Sequence, residues 1–146
     1  MNASTKEKIK QIAGSENYFD SEEVRLCYSF DATPLLKQMP EAVVFPENEE
    51  QISKILRLAN HELFNVVPRG AGTGLSGGAI PVENCVVLVM TKWNKILEID
   101  NSNLTATVQP GVVTGLLQKE VEKLNAKLKD ASSESSPKGN AETKDE

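Results

Sequence analysis

Glycine is concentrated in one short stretch of this chain, and that concentration restricts the possible folds more than any other feature. The 146 residues contain nine glycines, and five of them lie within the stretch Pro68-Arg69-Gly70-Ala71-Gly72-Thr73-Gly74-Leu75-Ser76-Gly77-Gly78. Glycine tolerates positive φ and lets the backbone approach a ligand without a Cβ in the way. Successive N–H groups in such a loop can point into one concavity, which suits a phosphate. The sequence therefore predicts an anion-binding loop of main-chain amides, with hydroxyl donors from Thr73 and Ser76 and with Arg69 at its entrance.

Two familiar phosphate motifs fail here because their structural context is missing. Residues 72–77 read G-x-G-x-x-G, the string of Rossmann dinucleotide sites, which need a helix that begins at the loop. Here Ala79-Ile80-Pro81-Val82 and then a strand follow, and no helix fits. The ATP-type P-loop needs a Lys and then a Ser or Thr after its last glycine, and neither is present. Two interpretations remain, a loop whose backbone alone wraps a pyrophosphate and a tight connection without a ligand.

The segments around the loop predict one βαβ unit followed by more strands. An apolar run at 42–45 reads as a strand, Asn48 caps the helix that follows, and residues 64–68 read as a second strand. Short links make these two strands parallel. The buried face of the helix is predicted from the i, i+3, i+4, i+7 spacing of Ile52, Ile55, Leu56 and Ala59. Further strands are expected at 84–90, 96–99 and 104–108, with a hairpin turn at 100–103.

The two ends of the chain differ from this central part. A short helix is predicted at 5–13, and residues 21–40 are expected to be irregular or partly helical. Thr114 is predicted to cap a helix with one apolar face, formed by Leu117, Val121, Leu124 and Leu128. From residue 129 onward the composition is too polar to offset the entropy of ordering. The predicted organisation is a helical or irregular segment 1–40, a domain 41–128 and a disordered tail 129–146.

Several functions are made improbable by composition. The net charge is −5 and no basic stripe is present, so we expect no nucleic-acid partner. No apolar run is long enough to span a bilayer and no signal peptide is evident, which favours a cytoplasmic protein. Cys27 and Cys85 are expected to be buried free thiols, and the sole histidine, His61, a solvated helix-end residue, so no metal site is predicted. Asp31 is expected to cap a turn, and Trp93 to pack in the core or at an edge.

The pattern resembles the FAD-binding domain of the vanillyl-alcohol oxidase superfamily, also called the PCMH-type FAD domain. Within it, the chain is most similar to the FAD-linked group that contains the glycolate oxidase D subunit and D-lactate dehydrogenase. The stretch 68–78 looks like the signature loop of that group. Residues 28–33, YSFDAT, and 108–112, VQPGV, agree with it in order and spacing. The likeness covers about residues 20–124.

The resemblance implies an α/β (or α+β) fold class, namely a βαβ unit plus further strands of an incomplete PCMH-type FAD domain. It implies FAD as the cofactor, with the pyrophosphate held mainly by backbone N–H groups. The residues that it assigns to the cofactor are Pro68, Arg69, Gly70, Ala71, Gly72, Thr73, Gly74, Leu75, Ser76, Gly77, Gly78, Pro110 and Gly111. No catalytic residue is assigned, because the substrate domain of the family and its histidines are not found in this sequence.

Two hypotheses on function follow. In the first, the chain is the N-terminal FAD-binding portion of an oxidase or dehydrogenase that oxidises a 2-hydroxy acid such as glycolate or D-lactate. In the second, the chain is a truncated, non-catalytic remnant, or a half-domain that functions only with a partner chain that supplies the missing half. Under either hypothesis we expect no catalysis from this chain alone, since oxidation of a hydroxyl needs a positioned base.

Overall fold

A computed structural model describes residues 1–134 of the protein, with side chains described as far as residue 127. Two compact units make up the chain, the first being Met1–Val112 and the second beginning at Val113. Elements of the first unit are the helices α1 (Ala3–Ala13), α2 (Glu22–Cys27) and α3 (Glu49–Glu62) and the strands β1 (Tyr18–Phe19), β2 (Ala42–Val44), β3 (Asn65–Arg69), β4 (Cys85–Val89), β5 (Ile96–Asp100) and β6 (Thr105–Val108). A short 3-10 helix at Ser15–Asn17 precedes β1, and α4 (Thr114–Glu134) belongs to the second unit.

Four of the strands form one sheet in the order β1-β2-β4-β3. β4 pairs in parallel with both of its neighbours, so that Val86 lies opposite Ala42 on one side and Val66 on the other. The predicted βαβ unit is therefore present as β2-α3-β3, and its two strands have the same direction. They are not neighbours, because β4 lies between them. β1 adds an antiparallel edge of two residues.

Alternating side chains of the sheet enter two different cores, as the two-residue period of a strand requires. On one face, Val86 and Leu88 pack with residues of α1 and α3, including Ile9 and Ile55. On the opposite face, Val87 and Val89 belong to a second buried cluster. Every residue of β4 is buried. A strand that is buried on both faces reads as a continuous apolar run, which explains the sequence CVVLV.

α3 begins and ends as local chemistry requires. The Asn48 side chain accepts a hydrogen bond from the Gln51 N–H at 3.0 Å, as expected of an N-cap. Ile55 and Ala59 are buried, whereas Leu56, predicted on the same face, is 45% exposed. The prediction for Leu56 was wrong because that side chain lies at the margin of the apolar stripe. The helix ends at Leu63, which takes a left-handed conformation with φ 57°.

β5 and β6 form a separate antiparallel ribbon. The strands are joined by the predicted turn, where the Asp100 carboxylate accepts hydrogen bonds from the N–H groups of Ser102 (2.8 Å) and Asn103 (3.0 Å). All of β6 is exposed, and so are the apolar side chains of Leu97 and Val108. This ribbon therefore has no hydrophobic core of its own among the residues that the structure describes.

The described residues also bear on the C-terminal boundary, on the two cysteines and on the character of the helices. α4 continues to Glu134, so the boundary predicted at residue 129 falls inside a helix, and the remainder of the predicted tail lies outside the described residues. Both cysteines are free, but Cys27 is exposed and only Cys85 is buried, which corrects the expectation of two buried thiols. No helix within residues 1–134 combines the length and the apolarity needed to cross a membrane.

Candidate functional site

The glycine loop begins where the β3 ladder ends. Arg69 is the last residue paired with β4, and its carbonyl oxygen accepts a hydrogen bond from the Met90 N–H at 2.8 Å. From Gly70 to Ser76, no backbone N–H donates a hydrogen bond to any part of the chain that the structure describes. No helix follows either, because Gly77 has φ +74° and its carbonyl oxygen closes a turn to the Ile80 N–H at 3.2 Å. The loop thus presents a run of free amide donors.

Arg69 is buried beneath this loop. Its side chain is 7% exposed, and its guanidinium lies 5.3 Å from the centroid of the Tyr28 ring. The Nη1 atom donates to the carbonyl oxygens of Phe30 at 2.6 Å and Ala79 at 3.5 Å. The Nε atom is buried without a hydrogen-bond partner in the described residues. From the sequence we expected Arg69 at the entrance of the glycine loop, and this inward orientation of its side chain was not predicted.

The segment before β2 reaches the far end of the loop. The Thr33 hydroxyl oxygen accepts a hydrogen bond from the Gly77 N–H at 2.9 Å. The Asp31 carboxylate in turn accepts from the Thr33 N–H at 2.8 Å, which is the turn-capping role expected from sequence. That hydrogen bond holds the pKa of Asp31 below its ordinary value although burial opposes the shift, and the positive charge of Arg69 acts in the same direction as the hydrogen bond.

Two glycines of the loop occupy opposite surroundings. At Gly72, φ is +75°, and a Cβ there would overlap the guanidinium of Arg69. At Gly74, a Cβ would meet no atom of the described chain within 4 Å, and the same holds at Gly78. The backbone conformation of Gly72 and its contact with Arg69 therefore require glycine at this position, whereas the space beside Gly74 is open to a ligand.

The downstream pair Pro110–Gly111 lies beside the start of the loop. The Pro110 carbonyl oxygen is 3.9 Å from the position that a Cβ on Gly70 would take. Gly111 donates its N–H to the Trp93 carbonyl oxygen at 2.7 Å, and a Cβ on it would collide with the backbone of Met90. The structure thus brings the two predicted parts of the site together, although they lie about forty residues apart in the sequence.

Other residues singled out from sequence lie elsewhere. His61 stands at the end of α3 with its side chain 81% exposed, as predicted. Trp93 is half-buried and its indole N–H donates to the Pro46 carbonyl oxygen at 2.7 Å. Within the described residues, no group of three His, Cys, Asp or Glu side chains could hold a metal ion. Sequence reasoning missed Thr33 as a contact of the loop, and its only signal was the family likeness of residues 28–33.

Fold and site together define an α/β domain with a glycine-rich loop of free amides between the parallel strands β3 and β4. The family model described as FAD binding domain matches residues 40–136. The chain is 51% identical over 109 residues to the glycolate oxidase subunit GlcD of Bacillus subtilis, covering 75% of this chain and 23% of the relative. It is 33% identical over 118 residues to the D-lactate dehydrogenase of Anaerostipes hadrus, covering 80% of this chain and 25% of the relative. Among solved structures, the 4-ethylphenol oxidase of Gulosibacter chungangensis is similar with a TM-score of 0.74 and 28% identity, over 85% of this chain and 25% of the oxidase.

The chain belongs to the FAD binding domain family, because the family model covers more than half of it. The resemblance to PCMH-type FAD domains of the glycolate oxidase and D-lactate dehydrogenase group is confirmed. FAD is the cofactor of this domain, and the residues present fit it, since free loop amides and open space beside Gly74 suit a diphosphate bridge. The chain spans about a quarter of the length of the relatives that it matches.

Proposed function

We propose that this chain is the FAD-binding portion of an oxidoreductase that oxidises a 2-hydroxy acid. Glycolate oxidase subunit GlcD and D-lactate dehydrogenase, to which it is similar, act on such acids by name. When bound, FAD supplies a ring that accepts hydride from the substrate. This chain contributes the pyrophosphate site, and no residue of it is proposed as catalytic. The cytoplasmic location expected from the sequence stays a prediction.

The observation that carries the proposal is the run of free amides from Gly70 to Ser76. Gly70 and Gly72 are half-buried and the other five residues of the run are exposed, so seven successive amides are accessible and have no acceptor in the described chain. Successive free N–H groups in such a loop suit an external anion. The residues proposed to hold the pyrophosphate are those of the loop, with Pro110 and Gly111 beside it, as the family resemblance implied. No lysine and no helix N-terminus takes part.

Ligand titration tests the proposal. We expect the purified chain to bind FAD, and ADP to compete, because both carry a diphosphate. Riboflavin, which has no phosphate, should bind far more weakly. Gly74→Val places a side chain in the open space and should weaken FAD and ADP together. The control is Gly115→Val in the second unit, where a Cβ also meets nothing within 4 Å.

The pyrophosphate assignment fails under two outcomes of that titration. Equal affinity for riboflavin and FAD would mean that the phosphates contribute nothing to binding. An unchanged affinity in Gly74→Val would mean that the cofactor does not pass beside this glycine. The folded state of each variant is checked by circular dichroism, so that unfolding is not mistaken for loss of a contact.

A second candidate function is favoured by the exposed β5–β6 ribbon. We propose that the chain acts as a half-domain whose ribbon packs against a partner polypeptide that supplies the rest of the FAD domain. Leu97 is 59% exposed and Val108 is 37% exposed on strands that have unpaired edges in the described chain. Apolar side chains on an open two-stranded ribbon are a typical docking or aggregation surface.

Complementation tests this second function. The partner is the part of the Bacillus subtilis relative that lies outside the aligned 109 residues, expressed together with this chain. We expect co-purification and higher flavin content per chain, both lost in Leu97→Lys. Leu104→Lys is the control, because Leu104 is 86% exposed and lies in the turn, not on a strand. Equal co-purification of both variants would exclude the ribbon as the contact.

A further inference from the structure

We propose that Arg69 is a positioning residue that holds the glycine loop in its binding shape, with Thr33 as the second anchor, and that Arg69 is not a ligand of the pyrophosphate. The inference rests on the proposed function for its consequence in FAD affinity, but its structural part concerns the protein without ligand. It gives Arg69, the only cationic side chain in the stretch 68–78, a structural role and not a role as a phosphate ligand. An arginine at a phosphate site would ordinarily be assigned to the phosphate, because its planar fork matches phosphate oxygens.

The contacts of Arg69 direct its charge into the protein. Its guanidinium donates to carbonyl oxygens on both sides of the loop, that of Phe30 before β2 and that of Ala79 just after the loop. One face of the group stacks on the Tyr28 ring at 5.3 Å. With only 7% of the residue exposed, little of the cation is left to meet a ligand. The side chain therefore joins the preceding segment, β3 and the loop exit.

The loop crosses directly over this guanidinium. Gly72 has no Cβ at the point where a Cβ would overlap the group, and its φ of +75° turns the chain at that place. Movement of the Arg69 side chain would remove the group against which Gly72 lies. Since residues 70–74 have no hydrogen bonds of their own to the described chain, their order depends on what lies beneath them.

Thr33 fixes the other end of the same loop. Its hydroxyl accepts from the Gly77 N–H at 2.9 Å, and Gly77 in turn closes the turn to Ile80. The Asp31 carboxylate orients Thr33 through the Thr33 N–H. Both anchoring contacts thus involve the YSFDAT segment, through the Phe30 carbonyl oxygen that Arg69 reaches and through the Thr33 hydroxyl. They hold the loop at its two ends and leave the amides between them free.

Amide hydrogen exchange measured by NMR on the full chain without FAD tests this arrangement. In Thr33→Val the Gly77 N–H loses its acceptor, and we expect its exchange to become about five- to tenfold faster, the effect of losing one hydrogen bond. Thr33→Ser retains the hydroxyl and should restore slow exchange. The Val86 amide in the central strand β4 reports the global fold and should be unchanged in both variants. Unchanged exchange at Gly77 in Thr33→Val would overturn the role of Thr33.

Arg69 is tested by Arg69→Met and Arg69→Lys, with Arg57→Met on the exposed side of α3 as the matched control. If Arg69 positions the loop, Arg69→Met accelerates exchange at Gly77 and Ile80 in the absence of any ligand, and Arg69→Lys restores part of the protection. If Arg69 is instead a pyrophosphate ligand, ligand-free exchange stays at the wild-type rate while FAD affinity falls, and the proposal is overturned.

FAD titration of the same variants separates this inference from the proposed function. We expect FAD to bind at least about tenfold more weakly to Arg69→Met and to Thr33→Val, because an unordered loop must be ordered on binding. If the wild-type chain binds no FAD, the proposed function fails, whereas the ligand-free exchange rates still decide whether Arg69 and Thr33 hold the loop.

Discussion

Replacing Gly72 by alanine is the sharpest test of the site as described. The added methyl meets two obstacles, since Gly72 has φ +75° and the new Cβ would overlap the buried guanidinium of Arg69. Gly74→Ala is the matched control. It is the same chemical change two residues later, at a glycine without positive φ whose Cβ would meet nothing within 4 Å.

The expected magnitude follows from those two obstacles. A left-handed backbone costs a non-glycine residue about 1–2 kcal/mol. Displacing the guanidinium breaks its hydrogen bond to the Phe30 carbonyl oxygen, and a hydrogen bond of a charged donor contributes about 1.5–3 kcal/mol. Both variants stiffen the unfolded chain equally, so that effect cancels in the comparison. Gly72→Ala should therefore unfold with a free energy about 2.5–5 kcal/mol lower than that of Gly74→Ala.

Urea unfolding followed by the fluorescence of Trp93, the only tryptophan, measures the difference. The expected loss is a large part of the stability of an ordinary domain, which is about 5–15 kcal/mol, so Gly72→Ala should unfold at a clearly lower urea concentration than Gly74→Ala. Equal slopes of free energy against urea are needed for the comparison. If the two variants unfold within about 1 kcal/mol of each other, the loop does not cross over Arg69 and the description is refuted.

Three further predictions concern the first unit. Leu63→Gly should raise the free energy of unfolding by about 0.5–1 kcal/mol in thermal or urea unfolding, because Leu63 is 81% exposed and has φ 57° at the end of α3. Asp31→Asn should be less stable than wild type at neutral pH. Folding lowers the pKa of Asp31, so the difference in stability should shrink as the pH falls from about 3.9, the ordinary value, through the folded pKa. Urea unfolding at several pH values measures it, and a difference that stays constant down to about pH 2 would contradict the prediction. Ellman's reagent should titrate one thiol, Cys27, in the native chain and two in urea, because Cys85 is buried and burial raises its pKa; Cys27→Ser should abolish the native reaction.

The local parts of the fold could be predicted from the sequence because their signals are local. Asn48 caps α3, the run at 85–89 forms a buried strand, and the Asp100 turn closes the ribbon, all from residue types a few positions apart. The loop without a following helix was predicted for the same reason. Proline at 81 and the apolar run behind it left no room for a helix after Gly77.

The order of strands could not be predicted in that way. The insertion of β4 between β2 and β3 depends on which strand is apolar enough to be buried on both faces, and several runs in the sequence have that character. The exposure of Leu56 and Cys27 likewise depends on neighbours far away in the sequence. The sequence pattern shows on which face of its own helix or strand a side chain lies. It does not show which other element packs against that face.

The inward orientation of Arg69 could not be predicted from the sequence pattern either, and its cause explains how the loop works. A loop whose amides must stay free for an anion cannot use those amides to hold its own shape, because each internal hydrogen bond would remove a donor. Its order has to come from outside its own sequence, and here it comes from residues about forty positions earlier, through Phe30 and Thr33. Free donors and a fixed shape are compatible only if anchoring and binding are divided between different groups. On the proposed function, the bare backbone therefore faces the ligand, and the one cation of the loop faces the protein.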